Sequence, residues 1–346
     1  MSVPEPRAAL HEESAEQDVP GFRKKRDLCR EVLLADSGIY HVAHYTSGVL
    51  DFALDLLAHG PAPGRDGDEL AEHRDNHRRV GAQLVYRATE LNRRLWELQT
   101  GALIRLVAQT ATGLVFCNSV VGSEHVVGFG AAPAVTGAAP PAPAGVGAMP
   151  ADPTQFETID RAASGLATDL RRLMRQRSQN PGGWLTDTTR PGQQAIDGTV
   201  HPRVTGSADP DGVLAAALRP EGLHYLSHHR AGEQVASADI LAHPELAPFF
   251  NRGVTVADRR SRYQRLAADL SLLVLQISRD LRRAVDGDVA RLVLDVEMGA
   301  VYYSRLTTGD YLFGVTLDQD RVSQADHALW TAARRLVEPA AGPSGR

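Results

Sequence analysis

The chain carries one long segment twice, so whatever fold accommodates the first copy must also accommodate the second. Residues 38–59 lie without a gap over residues 222–243. They share Gly38/Gly222, His44/His228, Gly48/Gly232, Asp55/Asp239, and Leu57-Ala58-His59 against Leu241-Ala242-His243. Residues 104–128 lie in the same way over 290–314, sharing Arg105/Arg291, Leu106/Leu292, Val107/Val293, Gly113/Gly299, Val115/Val301 and Gly128/Gly314. The offset changes by only two residues between the blocks, from 184 to 186. A solenoid repeats every few tens of residues. This period instead implies two copies of one domain, which suits a chain of 346 residues.

Bulk properties remove several classes of function. The net charge of −5 has no long single-sign run, so a broad basic surface for nucleic acid is not expected. No stretch approaches the ~20 apolar residues of a membrane span. The N-terminus is acidic and lacks a signal-peptide core. Cys29 and Cys117 sit at non-equivalent positions and form no motif, which predicts free thiols and a cytoplasmic location. Basic residues are almost all Arg, with Lys only at 24 and 25, the mark of a GC-rich coding bias.

Periodicity predicts the same succession in each copy. The first opens with a helix over 22–35, matched by 211–218, and continues with a hairpin beginning at 39–44 or 223–228. Long helices follow over 79–98 and 258–285. In the second, Tyr263, Leu266, Leu270, Val274, Ile277 and Leu281 form one apolar stripe. Leu272 and Leu275 point the other way, as do Val85 and Trp96 in the first helix, so each helix needs cover on two sides. Three-strand meanders are predicted over 103–108, 114–120 and 125–129, and over 291–296, 300–306 and 311–317. Closing helices follow over 154–176 and 323–338, where Leu170-Arg171-Arg172-Leu173 is set against Ala333-Arg334-Arg335-Leu336. The expected fold is α+β: two copies of a five-stranded antiparallel sheet with packed helices. Domains are placed at 21–177 and 210–338. Residues 1–20 and 339–346 are expected to be disordered, 131–153 to be a flexible Ala/Pro-rich insertion, and 178–209 to be a linker.

This order of elements, ending in RLVLDVEMGAVYYSRLTTGDYLFGVTLD, resembles the roadblock/LC7 domain, best over 211–338 and more weakly over 22–176. The family has no catalytic signature, and GAF, PAS, profilin-like and longin-like domains share much of the pattern. The resemblance implies pairing through the long helix and first meander strand into one continuous sheet, here as an intrachain pseudo-dimer. It also implies a non-enzymatic scaffold or regulator of a small Ras-like GTPase, of the type encoded beside such GTPases in actinobacteria. The partner would be that GTPase or another roadblock protein. The interface residues so implied are Val85, Trp96, Arg105, Val107, Leu272, Leu275, Arg291 and Val293. The alternative is a tandem GAF- or PAS-like sensor holding a small molecule between sheet and helices.

Other constellations have plainer explanations. His41 and His44 would face opposite ways on a strand. His224 and His228 would share a face, with His229 beside them, but no cysteine stands near, and hydrogen-bonded histidines explain both clusters without a metal. Asp295 and Glu297 would share a strand face, yet the first copy has Gln109 and Ala111 there, which argues against a carboxylate pair for acid–base work. Arg105 and Arg291 open equivalent strands and suit either a contact across paired sheets or an edge-strand charge. No phosphate loop, dinucleotide fingerprint or hydrolase motif occurs, so no cofactor is expected.

Overall fold

The computed structural model describes residues 10–14, 20–59, 67–131, 150–185, 201–206, 209, 212–250 and 253–338. Most of the Ala/Pro-rich insertion, the middle of the linker and the C-terminal tail lie outside the described residues. The first half contains β1 (His11–Ser14), α1 (Pro20–Leu34), β2 (Ile39–Thr46), β3 (Val49–Asp55), α2 (Gly67–Leu95), β4 (Leu103–Gln109), β5 (Gly113–Val121), β6 (Glu124–Ala131) and α3 (Glu157–Leu173). The second contains β7 (Arg203–Gly206), α4 (Val213–Ala216), β8 (Tyr225–Arg230), β9 (Glu233–Asp239), α5 (Val256–Leu281), β10 (Arg291–Val296), β11 (Gly299–Thr307), β12 (Asp310–Thr316) and α6 (Val322–Val337).

All twelve strands join one antiparallel sheet in the order β1-β3-β2-β6-β5-β4-β10-β11-β12-β8-β9-β7. The second half of that order mirrors the first, and the mirror falls between β4 and β10. Among the described residues each half supplies six strands instead of five. The additional ones, β1 and β7, arise in segments expected to be disorder and linker. Both are only four residues long, and such short edge strands discourage further strand addition. Each is held by backbone pairing, β1 to β3 and β7 to β9. Charge also fastens β1, since Glu12 accepts from Arg30 and forms an ion pair with Arg26, both on α1.

The shared residues mark where the local geometry repeats. Ser47-Gly48 and Ala231-Gly232 all have positive φ, which makes two-residue hairpin turns of the primed kind. Asp55 and Asp239 end equivalent strands. Each accepts from the backbone N–H two residues on, at 3.2 Å in both copies, and each binds an arginine of the long helix. Those arginines are Arg74, at 3.0 Å from Asp55, and Arg260, at 2.7 and 2.8 Å from Asp239. One carboxylate thus ties strand end, following turn and helix together. Gly128 is registered opposite Phe116 and Gly314 opposite Tyr302; Gly128 leaves room for the Phe116 ring, whereas a Cβ at Gly314 would press first on Leu329 and Leu223.

Helices cover both faces of the sheet. α2 and α5 pack on one side through Leu84, Leu91 and Leu95 and through Tyr263, Leu270 and Ile277. On the other side α1, α3, α4 and α6 contribute Cys29, Ile159, Leu166, Leu214 and Leu329. Residues from both halves enter both cores, so neither core stops at β4–β10. Burial on two sides explains why the inner strands read as almost unbroken apolar runs. α2 begins at Gly67, a dozen residues before the predicted start, because its polar first turns carry no apolar stripe. α5 begins with a capping box, Thr255 against Asp258.

One sequence alignment needs correction. The buried faces of the closing helices match when Asp160 is set on Asp326, an offset of 166. Ile159, Asp160, Ala163, Leu166 and Ala167 then fall on Ala325, Asp326, Leu329, Ala332 and Ala333. The Arg-Arg match used an offset of 163, about one helical turn away. Surface arginines on a helix are interchangeable, whereas its buried stripe is not.

Candidate functional site: the seam and the helix face

The seam between the halves is built on β4 and β10. Val107 is registered opposite Val293, and these are equivalent residues of the two copies, so a pseudo-twofold axis passes between them. Both are fully buried, and each side chain contributes roughly 1.5–3 kcal/mol by leaving water. Outward from that pair, Arg105 lies opposite Asp295 and Arg291 opposite Gln109.

These polar residues form a buried cluster on the α3/α6 side of the sheet. Arg105 donates from Nε to Asp295 at 2.8 Å and from Nη1 to Asp160 on α3. Arg291 donates to Asp326 on α6, through Nε at 3.0 Å and through Nη2, and its Nη1 reaches Gln109 at 3.1 Å. None of the five charged groups is more than 5% exposed. Three carboxylates share two guanidiniums there. Burial pushes the Asp160 carboxyl above its usual range, against the pull of Arg105 and Arg291. Asp295 also accepts from Gly182 N–H at 2.7 Å, while Gln319 donates to the Asn180 carbonyl at 3.0 Å. The start of the linker is therefore stapled across the seam. A cleft of about 370 Å³ opens above the cluster, walled by Trp184, whose ring carries the Arg161 guanidinium at 4.8 Å.

On the opposite side of the sheet, α2 and α5 run antiparallel and touch along their flanks. Arg87 donates to Asp280 at 2.8 Å, and Arg262 to the Glu97 carbonyl. Because both helices lie flat on one sheet, their backs point away from it and cannot meet. Leu272 and Leu275, expected to be covered by the other helix, are 62% and 56% exposed, and Trp96 is 66% exposed. Val85 lies differently from the expectation. It is buried in the core beside Leu84, and the outward apolar residue of that turn is Tyr86, 67% exposed. Tyr86, Arg93 and Trp96 share one helix face by spacing, as do Leu272, Leu275 and Arg279. The helix pair thus presents aromatic and leucine side chains beside exposed arginines.

Of the eight residues singled out by sequence, Arg105, Val107, Arg291 and Val293 converge on the seam. Trp96, Leu272 and Leu275 stand on the outer helix face, and Val85 lies between helix and sheet. Gln109, Asp160 and Asp326, which complete the seam cluster, were not picked out. Asp160 and Asp326 are legible only once the closing helices are set in the right register.

The histidines divide by environment. His41 packs against His77 and Phe129 on the α2 side, and burial, then neighbouring His77 and Arg78, drives its pKa well down. His44 faces the other way, stacked on Phe52, with Nδ1 2.6 Å from Asp51. Burial opposes its charge, but hydrogen bonds to Asp51 and Glu124 outweigh that and raise its pKa. His224 stands just before β8, its backbone still bonded to Val315 and Ile240 of the neighbouring chain segments. Its Nε2 bonds to the Pro220 carbonyl and its Nδ1 accepts from Leu317 N–H, both at 2.8 Å. His229 stacks on Tyr311 at 4.8 Å. Among the described residues no group of three or more His, Cys, Asp or Glu is arranged to hold a metal ion. Nor do Asp295 and Glu297 form a pair. β10 ends at Val296, and Glu297 sits in the turn, accepting from Ala102 N–H at 3.2 Å.

No described helix is long and apolar enough to cross a membrane. Comparison with protein-family models, with curated proteins and with solved structures finds no match, so function is argued from geometry.

Proposed function

We propose that the chain is a non-enzymatic regulator or scaffold of a small Ras-like GTPase, acting as two roadblock-like domains joined covalently into a pseudo-dimer. The observation that carries this reading is the mirror order of strands about β4–β10, with α2 and α5 side by side on one face. It is the pairing that the roadblock resemblance implies. The exposed Tyr86, Trp96, Leu272 and Leu275 supply an apolar docking face, and the adjoining Arg93 and Arg279 suit a partner with acidic residues around its contact.

Affinity capture from an extract of the native cell, by the full chain and by Leu272→Glu in parallel, tests the reading. A small GTPase recovered by the wild type and lost by the variant, then titrated in its GDP and GTP-analogue forms, supports it. Recovery of no GTPase, or of one held equally by the variant, sinks it.

A further inference from the structure

The two copies differ in side-chain size where α2 and α5 cross the sheet. In the second copy Tyr303 and Tyr311 lie beneath the helix, ring centroids 5.1 Å apart, and His229 stacks on Tyr311. Both tyrosines are buried, and the Tyr311 hydroxyl donates to the Ala267 carbonyl of α5 at 2.8 Å. Strand register identifies their counterparts. Tyr303 is registered with Leu292 and Phe313, and Cys117 with the equivalent Leu106 and Val127. Tyr311 is registered with His229 and Arg305, and His125 with Tyr45 and Ser119. The first copy therefore has Cys117, His125 and Ser119 where the second has Tyr303, Tyr311 and Arg305. Helix positions follow the same offset of 186, so Ala88 replaces Val274.

Those smaller side chains leave space. A cleft of about 730 Å³ lies between α2, the ends of β4–β6 and the hairpin turns at Gly48 and Gly122. That volume is within the range of small-molecule sites, roughly 300–1,000 Å³. Its apolar wall is Val85, Ala88, Leu103 and Ile104, while Thr89, Asn92, Ser119 and Ser123 add hydroxyls and an amide. The three charged groups at its margin are already engaged. Arg105 binds Asp295, Arg171 donates to the carbonyls of Val120 and Arg177 at 2.5 and 2.8 Å, and Glu297 accepts from Ala102 N–H. Burial lowers the His125 pKa and pushes the Cys117 thiol up to about 12, so both are neutral at pH 7.

We propose that the first copy binds an uncharged, mainly apolar small molecule in this cleft, and that Tyr303 and Tyr311 plug the equivalent place in the second copy. The assignment is argued separately from the GTPase reading: the cleft runs along α2 and meets the outer helix face at Tyr86, while Trp96, Leu272 and Leu275 do not line it.

The test uses the full chain and the uncharged fluorophore N-phenyl-1-naphthylamine. Expected is saturable binding of one molecule per chain, weakened at least tenfold by Cys117→Tyr and by Ser119→Arg, which install the second copy's residues. Leu272→Ser, on the outer helix face, leaves binding unchanged. The anionic analogue 8-anilinonaphthalene-1-sulfonate binds at least tenfold more weakly, as a site without a free cation requires. Circular dichroism checks that each variant folds. If Cys117→Tyr does not, Ser119→Arg at the half-buried margin decides. No saturable binding by the wild type, undiminished binding by the folded variants, loss of binding in Leu272→Ser, or equal affinity for the sulfonate overturns the proposal.

Discussion

Arg105 and Asp295 come from different copies of the repeat and meet at 2.8 Å across the seam, whereas the pseudo-symmetric pair, Arg291 and Gln109, meets without a second charge. The duplication thus gave one interface two unequal halves. A buried guanidinium that loses one of its carboxylates keeps its desolvation cost and loses part of its compensation.

Asp295→Ala is accordingly expected to destabilise the chain by about 3–5 kcal/mol in urea unfolding. It takes from Arg105 the acceptor of its Nε and Nη2, leaving only the bond to Asp160, and also removes the acceptor for Gly182 N–H. Gln109→Ala is expected to cost only ~1–3 kcal/mol, since Arg291 keeps both bonds to Asp326. Equal losses for the two variants would show that charge at the seam is not what matters.

The glycine–aromatic pairs predict an unequal response to one methyl group. At Gly128 a Cβ would drive into the Phe116 ring, whereas at Gly314 the nearest Tyr302 atom stays 3.6 Å away and a Leu329 methyl lies at 3.0 Å. Gly128→Ala should cost about 1–3 kcal/mol by overpacking, and Gly314→Ala less. Thermal unfolding of the two single variants, compared with wild type, measures the difference.

Stability should fall as the pH drops from about 6.5 to about 4, and His224 is a main cause. Burial lowers its pKa to about 4, and Leu317 N–H points at Nδ1, so a proton there would face a donor. The unfolded chain takes up that proton near pH 6.5. The stabilisation is therefore complete above that pH and is lost as the pH falls through the folded value, a change on the order of 3 kcal/mol. His229, also lowered to about 4, adds in the same direction. His44 acts oppositely: its raised pKa stabilises below pH 6.5, and that contribution disappears as the pH rises through its folded value. His224→Asn should flatten the unfolding free energy between pH 6.5 and 4. An unchanged slope, or a His224 ring resonance titrating near 6.5 by NMR, contradicts this.

The outer helix face should be dispensable for folding. Leu272→Ser and Trp96→Ala change side chains more than half exposed, so unfolding free energies should stay within about 0.5 kcal/mol of wild type. A loss of 2 kcal/mol or more in either variant would mean that the face is structural and not a docking surface.

Much of the architecture was legible because it is local. Short apolar runs and turn chemistry located the meander strands to within a residue or two, and the three- and four-residue spacing of Tyr263, Leu270, Val274 and Ile277 marked the face of α5 that packs on the sheet. The edge strands β1 and β7 were not legible. Four residues with no apolar pattern acquire strand geometry only when a neighbouring strand offers hydrogen bonds. The charge cluster was half legible: Arg105 and Arg291 stood out as a repeated pair, while Asp160 and Asp326 lie on helices whose arginine pairs align at a different offset, and Gln109 on β4 carries no charge to mark it.

Composition and spacing determined that this chain has two related halves, where their helices and meanders lie, and that Val107 and Val293 are counterparts. Tertiary structure decided that these two valines face each other, that the backs of α2 and α5 stay open, and that the first copy keeps a cleft where tyrosines fill the second. Periodicity reports which side of an element is apolar, but not which apolar surface it will find. That depends on strand register across the seam and on side-chain volumes brought together from distant parts of the chain.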